Sequence, residues 1–327
     1  MAAMTIEARA FWLEQPGRGS IRTATLPPLK PGEVLVRALT SGISRGTESL
    51  VFNGGVPNSQ YQAMRCPFQD GDFPGPVKYG YASVGVVEDG LPDLKGERVF
   101  CLYPHQDFYI VPADSVVPVP DAVPDARAAL AANMETALNA KWDSGAWVGD
   151  RIAVVGAGVV GCLVASLLKG LSKVRLQLID IDPRRATIAA QLGCDFATPA
   201  EAKGDNNLVI HTSASEAGLA TALSLAAFEA TVLELSWYGD KRIAVPLGEN
   251  FHSKRLTLRA SQVGAVAPSR RATVTHRERL IAALDLLADP VYDHLINGES
   301  RFADLPQTMA RLATAPDGAL CEIVRYR

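Results

Sequence analysis

A run of glycines between two apolar strands constrains this chain more than any other feature. Residues 151–182 read RIAVVGAGVVGCLVASLLKGLSKVRLQLIDID. The first five are short, apolar and β-branched, as in a strand buried on both faces. Gly156, Gly158 and Gly161 then form G-x-G-x-x-G, and the apolar run through Val159 and Val160 to Leu168 has helical length. A second apolar strand, 174–179, ends in Asp180, nineteen residues after Gly161. Each part has a mechanical task in dinucleotide binding. The first glycine permits a tight turn, the second lets a diphosphate approach the backbone, and the third lets the helix lie close to the strand. The helix start offers free N–H groups and a positive dipole end. Asp180 is placed to accept hydrogen bonds from an adenosine ribose.

With 327 residues the chain is long enough for two domains. Hydrophobic residues make up 48%, charged residues 20%, and the net charge is −3 with both signs interspersed. That mixture argues against nucleic acid or an anionic membrane as the main partner. The one basic stretch, Arg270, Arg271, Arg277 and Arg279, adjoins an expected helix at 279–288 and reads as a solvated face rather than an anion site. No apolar run is long enough to cross a membrane. The start, MAAMTIEARAFWLEQ, lacks the charged and apolar regions of a secretory signal. Five scattered cysteines without a C-x-x-C pair read as reduced thiols, and the expected location is cytoplasmic.

The first third is rich in Gly, Pro and short β-type runs at 8–13, 33–38, 82–87, 98–102 and 108–111, the texture of a small irregular barrel or sandwich. Residues 53–80 read as a long loop carrying Tyr61, Phe68, Phe73 and Tyr79. An alanine-rich helix is predicted over 126–142. Strands at 151–155, 174–179, 208–211, 231–236 and 256–263 alternate with helices at 159–169, 184–192 and 216–227, which predicts a doubly wound parallel sheet. The tail adds the 279–288 helix, a turn at Asn297–Gly298 and a last strand at 320–326.

Several motifs in this order resemble the medium-chain dehydrogenase/reductase superfamily over essentially the whole chain. Gly80-Tyr81-Ala82-Ser83-Val84-Gly85-Val86-Val87 is similar to its G-H-E-x-x-G-x-V, and Gly96-Glu97-Arg98-Val99 to its G-D-R-V. Thr136–Ala137 lies on a helix before the glycine-rich strand, and ATVLELSWY at 230–238 is similar to the strand beneath the nicotinamide. The resemblance implies an α/β fold: a doubly wound parallel (Rossmann) sheet at 133–266, plus a GroES-like β-barrel catalytic domain from 1–132 and 267–327. It also implies a zinc site in many members, yet the ligand positions here hold Ser44, Tyr81, Ala82 and Ala132. Hydroxyls and methyls do not make a zinc site, and the four-cysteine structural lobe is missing. A zinc-free enzyme is expected. Ser41-Gly42-Ile43-Ser44-Arg45-Gly46-Thr47-Glu48, followed by Gly80-Tyr81, is similar to the bacteriochlorophyllide dehydrogenase branch, which suggests hydroxyl oxidation more than a particular substrate.

Without a metal, side chains must polarise the substrate oxygen and move its proton. Tyr81, at the histidine ligand's position, either donates to a carbonyl, acts as a base if its pKa is lowered, or merely fills the void. Thr47 is a candidate relay, or a loop hydroxyl bonded to local backbone. Glu48 is a candidate whose blander role is a salt bridge, Ser44 a small substitute for cysteine, and His105 a loop imidazole suited to proton transfer or simply exposed. For the cofactor, Gly156, Gly158, Val159, Val160, Gly161, Asp180, Arg185, Thr136, Thr212, Ser213, Ser236 and Trp237 are the candidate contacts. His211 reads as a satisfied strand-end residue. An acid at Asp180 favours NAD over NADP, with Arg184 and Arg185 on the helix surface. The expected protein is a metal-independent, NAD-dependent oxidoreductase acting on a small-molecule alcohol or ketone, and a homodimer through the strand at 256–263. The alternatives are a zinc-free NADPH-dependent enoyl or quinone reductase and a nucleotide-binding redox sensor without turnover.

Overall fold

The computed structural model describes residues 6–315 and 317–326; the N-terminal run read for a leader begins within 1–5, outside that range. Two compact units form. One takes the chain to Ala132, together with Leu284–Ala288 and the chain from Ile296 on; the other takes Asn133–Ala283 and Asp289–Leu295. Residues 267–283 and 289–295, expected with the first unit, therefore pack with the second.

The second unit is a six-stranded, all-parallel sheet in the order Asp195–Ala197, Arg175–Ile179, Arg151–Val155, Asn206–His211, Ala226–Glu234, Thr257–Ala260. The first strand in sequence lies inside the sheet, and the order in which strands are added reverses between it and Asn206–His211. This is the Rossmann order, in which ligands bind beyond the carboxyl ends of the strands at the reversal. Ile152, Val154, Val209, Ile210, Val232 and Leu233 are fully buried, which explains why these strands read as continuous apolar runs. The strand Arg151–Val155 and the helix Val159–Lys169 fall where the sequence places them.

Arg279 departs from its expected solvated face. It is 1% exposed. Its Nε meets Glu135 at 3.0 Å, and its terminal nitrogens reach Asn139 Oδ1 at 2.6 Å and the carbonyls of Val263 and Ala265. A single guanidinium thus ties the helix His276–Leu286 to the helix Ala131–Ser144 and to the chain leaving the last strand. This contact holds the later residues in the second unit.

The first unit is β-rich. A four-stranded antiparallel sheet runs Arg18–Thr25, Glu7–Gln15, Val77–Lys78, Asp70–Gly71. A seven-stranded sheet runs Ile296–Arg301, Cys321–Arg325, Glu33–Ile43, Ser83–Asp89, Arg98–Cys101, Val116–Pro118, with Phe108–Pro112 also pairing to Glu33–Ile43. Three local readings change. The Asn297–Gly298 turn is instead part of the edge strand Ile296–Arg301, where the register slips between Ile296 and Gly298. The Asn297 side chain there bonds the Gly318 carbonyl and the Leu320 N–H. The helix over 126–142 is two, Asp125–Ala128 and Ala131–Ser144, broken where Gly42 presses on the Ala129 carbonyl. The strand Arg18–Thr25 was not anticipated, because neither of its faces is buried and no alternation marks it. The 53–80 loop carries only the short 3₁₀ turn Asn58–Gln60 and two two-residue strands.

All five cysteines are free and buried. Among the described residues no helix is long and apolar enough to cross a membrane.

Removing one partner of a buried ion pair strands the other. Arg279→Met should therefore lower the unfolding free energy by about 3–5 kcal/mol, and Arg279→Met with Glu135→Leu should recover much of that loss. Urea unfolding at neutral pH checks both; an Arg279→Met protein as stable as wild type would contradict the assignment.

Candidate active site

In the first unit the strand Glu33–Ile43 delivers Ser41 and, just beyond its end, Ser44, which begins the helix Arg45–Phe52 carrying Thr47 and Glu48. Glu48 folds back on its own helix start: Oε1 accepts the Ser44 N–H at 2.7 Å. Its Oε2 lies 2.8 Å from His105 Nε2. His105 Nδ1 meets Ser41 Oγ at 2.7 Å, and that hydroxyl lies 3.0 Å from Tyr326 Oη. Glu48, His105 and Ser41 are all buried. His105, which sequence alone leaves as a loop residue free to be exposed, is thus an interior one. The approach needs Gly80, whose φ is +137°: a Cβ there would sit 2.9 Å from the His105 ring.

Tyr81 completes the group. The Ser44 and Thr47 hydroxyls lie near enough to its phenol to favour the ionised form. Tyr81 ends a run of ring contacts from Tyr61 through Phe73 and Tyr79, with centroids 5.6–5.9 Å apart, so these three aromatics of the 53–80 loop form a wall leading to it, while Phe68 packs on Tyr103 instead. Burial, with the Glu48 charge adding to it, pushes the Tyr81 phenol above its ordinary range, and the two hydroxyls only partly offset this. That direction suits a proton holder and donor, and runs opposite to the lowered pKa that a base would need. All five expected catalytic side chains, Ser44, Thr47, Glu48, Tyr81 and His105, gather here. Ser41 and Tyr326 were missed; they lie 285 residues apart and no local pattern links them. Cys66 was missed as well. Burial pushes its thiol up to about 12, with the Gly80 backbone acting in the opposite direction.

This donor set does not fit a zinc ion. Ser44, Tyr81, Ala82 and Ala132 stand at the expected ligand positions. His105 spends both ring nitrogens on Glu48 and Ser41, and Glu48 both oxygens on His105 and Ser44. Among the described residues no three His, Cys, Asp or Glu side chains cluster to hold a metal ion.

In the second unit the glycine turn is shaped for a dinucleotide. Gly156 has φ +110°, and a Cβ on it would meet Thr212 Oγ1 at 2.7 Å and the Ser213 nitrogen at 2.9 Å. A Cβ on Gly161 would fall 1.9 Å from the Gly156 carbonyl. Gly158 faces open space. Asp180 accepts the Ala157 N–H at 2.7 Å and the Asp182 N–H at 2.9 Å, so its carboxylate borders the turn. Asp182 engages Arg184 at 2.9 Å and lies 4.0 Å from Arg185, whose side chain is mostly buried. Thr136 lies half-buried on the helix Ala131–Ser144, and Trp237 half-buried beyond the strand Ala226–Glu234. Thr212 points inward, donating to the carbonyl of Gly156 at 2.8 Å, so its hydroxyl braces the turn rather than reaching a ligand. Ser213 is exposed.

Beside the turn lies a buried network only half anticipated. His211 Nδ1 lies 2.7 Å from Glu234 Oε2, and Nε2 lies 2.6 Å from Ser213 Oγ. The Ser236 N–H donates to Glu234 Oε1, the Tyr238 hydroxyl to Glu234 Oε2, and the Ala214 N–H to Ser236 Oγ. His211 and Glu234 face each other across paired strands. Glu234 and Tyr238 were missed; the signal was an acid interrupting an otherwise apolar strand opposite a strand-end histidine.

No protein-family model matches the chain. Comparison with curated proteins finds an L-threonine 3-dehydrogenase of Rhizobium rhizogenes, 33% identical over 94 residues, which is 29% of this chain and 27% of that protein. The chain thus aligns with about a quarter to a third of the length of the curated relatives it matches first. Among solved structures, L-idonate 5-dehydrogenase of Escherichia coli K-12 superposes with a TM-score of 0.81 at 17% identity, covering 99% of each chain. A protein described as a zinc-binding dehydrogenase, from Sinorhizobium meliloti 1021 and bound to NADP, superposes at 0.77 and 17% identity over 98% of this chain and all of that one. The fold is the α/β architecture of these medium-chain dehydrogenases, a Rossmann unit with a β-rich unit.

Burial alone would raise the Glu234 carboxyl, but the hydrogen bond and charge of His211 and the Ser236 donors outweigh it and hold the group below its ordinary value of 4.5. A depressed carboxyl stabilises the fold above that ordinary value, and the gain disappears as pH falls through the folded-state value. The stability advantage of wild type over Glu234→Gln, measured by urea unfolding at neutral pH, should therefore shrink steadily as the pH is taken below 4.5. A gap unchanged by acid would contradict the pairing.

Proposed function

We propose that the protein is a metal-independent oxidoreductase that interconverts a secondary alcohol and a ketone, with NAD as the hydride carrier. The observation that carries this reading is the Tyr81 phenol, gathered with the Ser44 and Thr47 hydroxyls beside the buried Glu48. When bound, the coenzyme supplies a hydride acceptor or donor. Gly158 and the first-turn N–H groups of Val159, Val160 and Gly161 would hold its diphosphate, since these groups lack partners within the helix. Asp180 keeps lone pairs for ribose hydroxyls beyond its two backbone bonds. Ser213, Ser236, Trp237 and Thr136 are the further contacts of this reading. NAD is favoured because Asp180 repels a 2′-phosphate while Asp182 occupies Arg184; the Sinorhizobium meliloti neighbour, by contrast, was solved with NADP.

Tyr81 works as a donor. With its proton held tightly, the phenol hydrogen-bonds the substrate oxygen and stabilises the charge developing there. Ser44 and Thr47 fix its direction and form the first step of a path for the proton. Glu48 sets the local potential, and His105 keeps Glu48 in place. The relatives are named for L-threonine and L-idonate, which supports a hydroxylated small molecule as substrate. The strand Thr257–Ala260, exposed along its length, is the edge on which two copies would pair as a homodimer.

Tyr81→Phe should slow turnover at least about tenfold while leaving NADH affinity nearly unchanged, as read by steady-state kinetics and fluorescence titration. Purified enzyme should contain no stoichiometric zinc and keep its rate in a chelator. Full activity in Tyr81→Phe removes the phenol from the mechanism. A tightly held zinc required for turnover overturns the metal-free reading, and NADPH-preferring reduction of enones would replace the alcohol reading with the reductase.

A further inference from the structure

The network around His211 reaches the surface at the Ser213 and Ser215 hydroxyls, and its hydrogen bonds can run in one direction. The Gly218 N–H donates to Ser215 Oγ at 3.0 Å, and Ser215 Oγ lies 2.9 Å from Ser213 Oγ. Ser213 Oγ lies 2.6 Å from His211 Nε2, and His211 Nδ1 lies 2.7 Å from Glu234. The site is shaped around this chain: a Cβ on Gly218 would fall 2.1 Å from Ser213 Oγ and 2.7 Å from His211 Nε2. The turn that carries Ser213 rests on Gly156, the first glycine of the cradle.

We infer that His211 is a positioning residue for the coenzyme: its protonation state decides whether Ser213 presents a lone pair or a hydrogen to a phosphate oxygen in the glycine cradle. The inference rests on the nicotinamide reading above. The Glu234 carboxylate can only accept, so Nδ1 carries a hydrogen in either state. In the neutral ring Nε2 accepts the Ser213 hydrogen; Ser213 then accepts from Ser215 and turns its remaining lone pair outward, which repels an anion. In the charged ring Nε2 donates to Ser213. Both lone pairs of that oxygen are then filled, and its hydrogen turns outward toward the phosphate, with a positive charge close behind it. The titratable groups facing the ring are Glu234 and the Tyr238 phenol, whose pKa burial and Glu234 together raise. On the helix Glu216–Leu225 the groups nearest the ring are Gly218 and Ser215, while Glu216 turns away to the Ala244 N–H.

NADH affinity, titrated by fluorescence from about pH 8.5 to about pH 6 at constant ionic strength, should tighten about tenfold in the wild type. Ser213→Ala, a change at an exposed position, should flatten the profile, and His211→Gln, if folded by circular dichroism, should flatten it too. A purely structural role for His211 would lower stability in His211→Gln and leave the slope in Ser213→Ala. A flat wild-type profile with tight binding, or an unchanged slope in Ser213→Ala, overturns this inference and leaves the dehydrogenase reading standing. If neither NADH nor NADPH binds at any pH, both fall.

Discussion

The helix Val159–Lys169 lies so close to the strand before it that Gly161 has no room for a single methyl group. A Cβ there would sit 1.9 Å from the Gly156 carbonyl, and Gly156 is itself in the left-handed region and pressed by the next strand's turn. This backbone-to-backbone approach aims the helix start, fixes the Asp180 carboxylate against the turn through the Ala157 N–H, and lets Thr212 brace the Gly156 carbonyl from the other side. Everything read as coenzyme chemistry in the second unit is referred to that contact.

Buried polar groups govern the remaining architecture, because each one must find a partner as it leaves water. Arg279 finds Glu135, Asn139 and two carbonyls, and in doing so it decides which unit the late residues join. His105 finds Glu48 and Ser41, drawing together a loop, a helix start and a strand. His211 finds Glu234 and Ser213, binding two neighbouring strand ends to one helix start. None of these is a surface ion pair of small consequence; each would leave a costly orphan if halved.

The same distinction explains what could be read from the sequence. Fully buried strands such as Arg151–Val155 and Asn206–His211 are legible because both faces demand apolar residues. The glycine turn is legible because its spacing reflects backbone geometry alone. Ser44 and Tyr81 were found as departures from a familiar pattern at positions where a metal would otherwise be held, and Thr47 and Glu48 as residues that resemble the pattern beside them. Partnerships across long separations were not legible. Nothing near Arg279 in sequence shows that Glu135 waits for it, and nothing near Ser41 points to Tyr326. The strand Arg18–Thr25 was missed for the converse reason, since an exposed edge places no demand on its side chains.

Both units contain an imidazole held between a glutamate and a serine, and their difference lies in where the chain of hydrogen bonds ends. In the first unit it ends inside: Ser41 is fully buried and continues only to Tyr326, whose phenol burial pushes up. An arrangement closed in this way acts as a strut, and its output is a fixed position for Glu48 beside Tyr81, whose phenol burial first and that neighbour second push up. In the second unit the imidazole is the buried member and Glu234 is half-buried, while the serine end opens to the surface beside the glycine cradle. A closed chain has no group through which a ligand can sense its protonation, whereas an open one presents its last hydroxyl to whatever binds there. Similar components thus yield a closed strut in one unit and, in the inference drawn above, a responsive contact in the other, and burial of the terminal hydroxyl is the property that separates them.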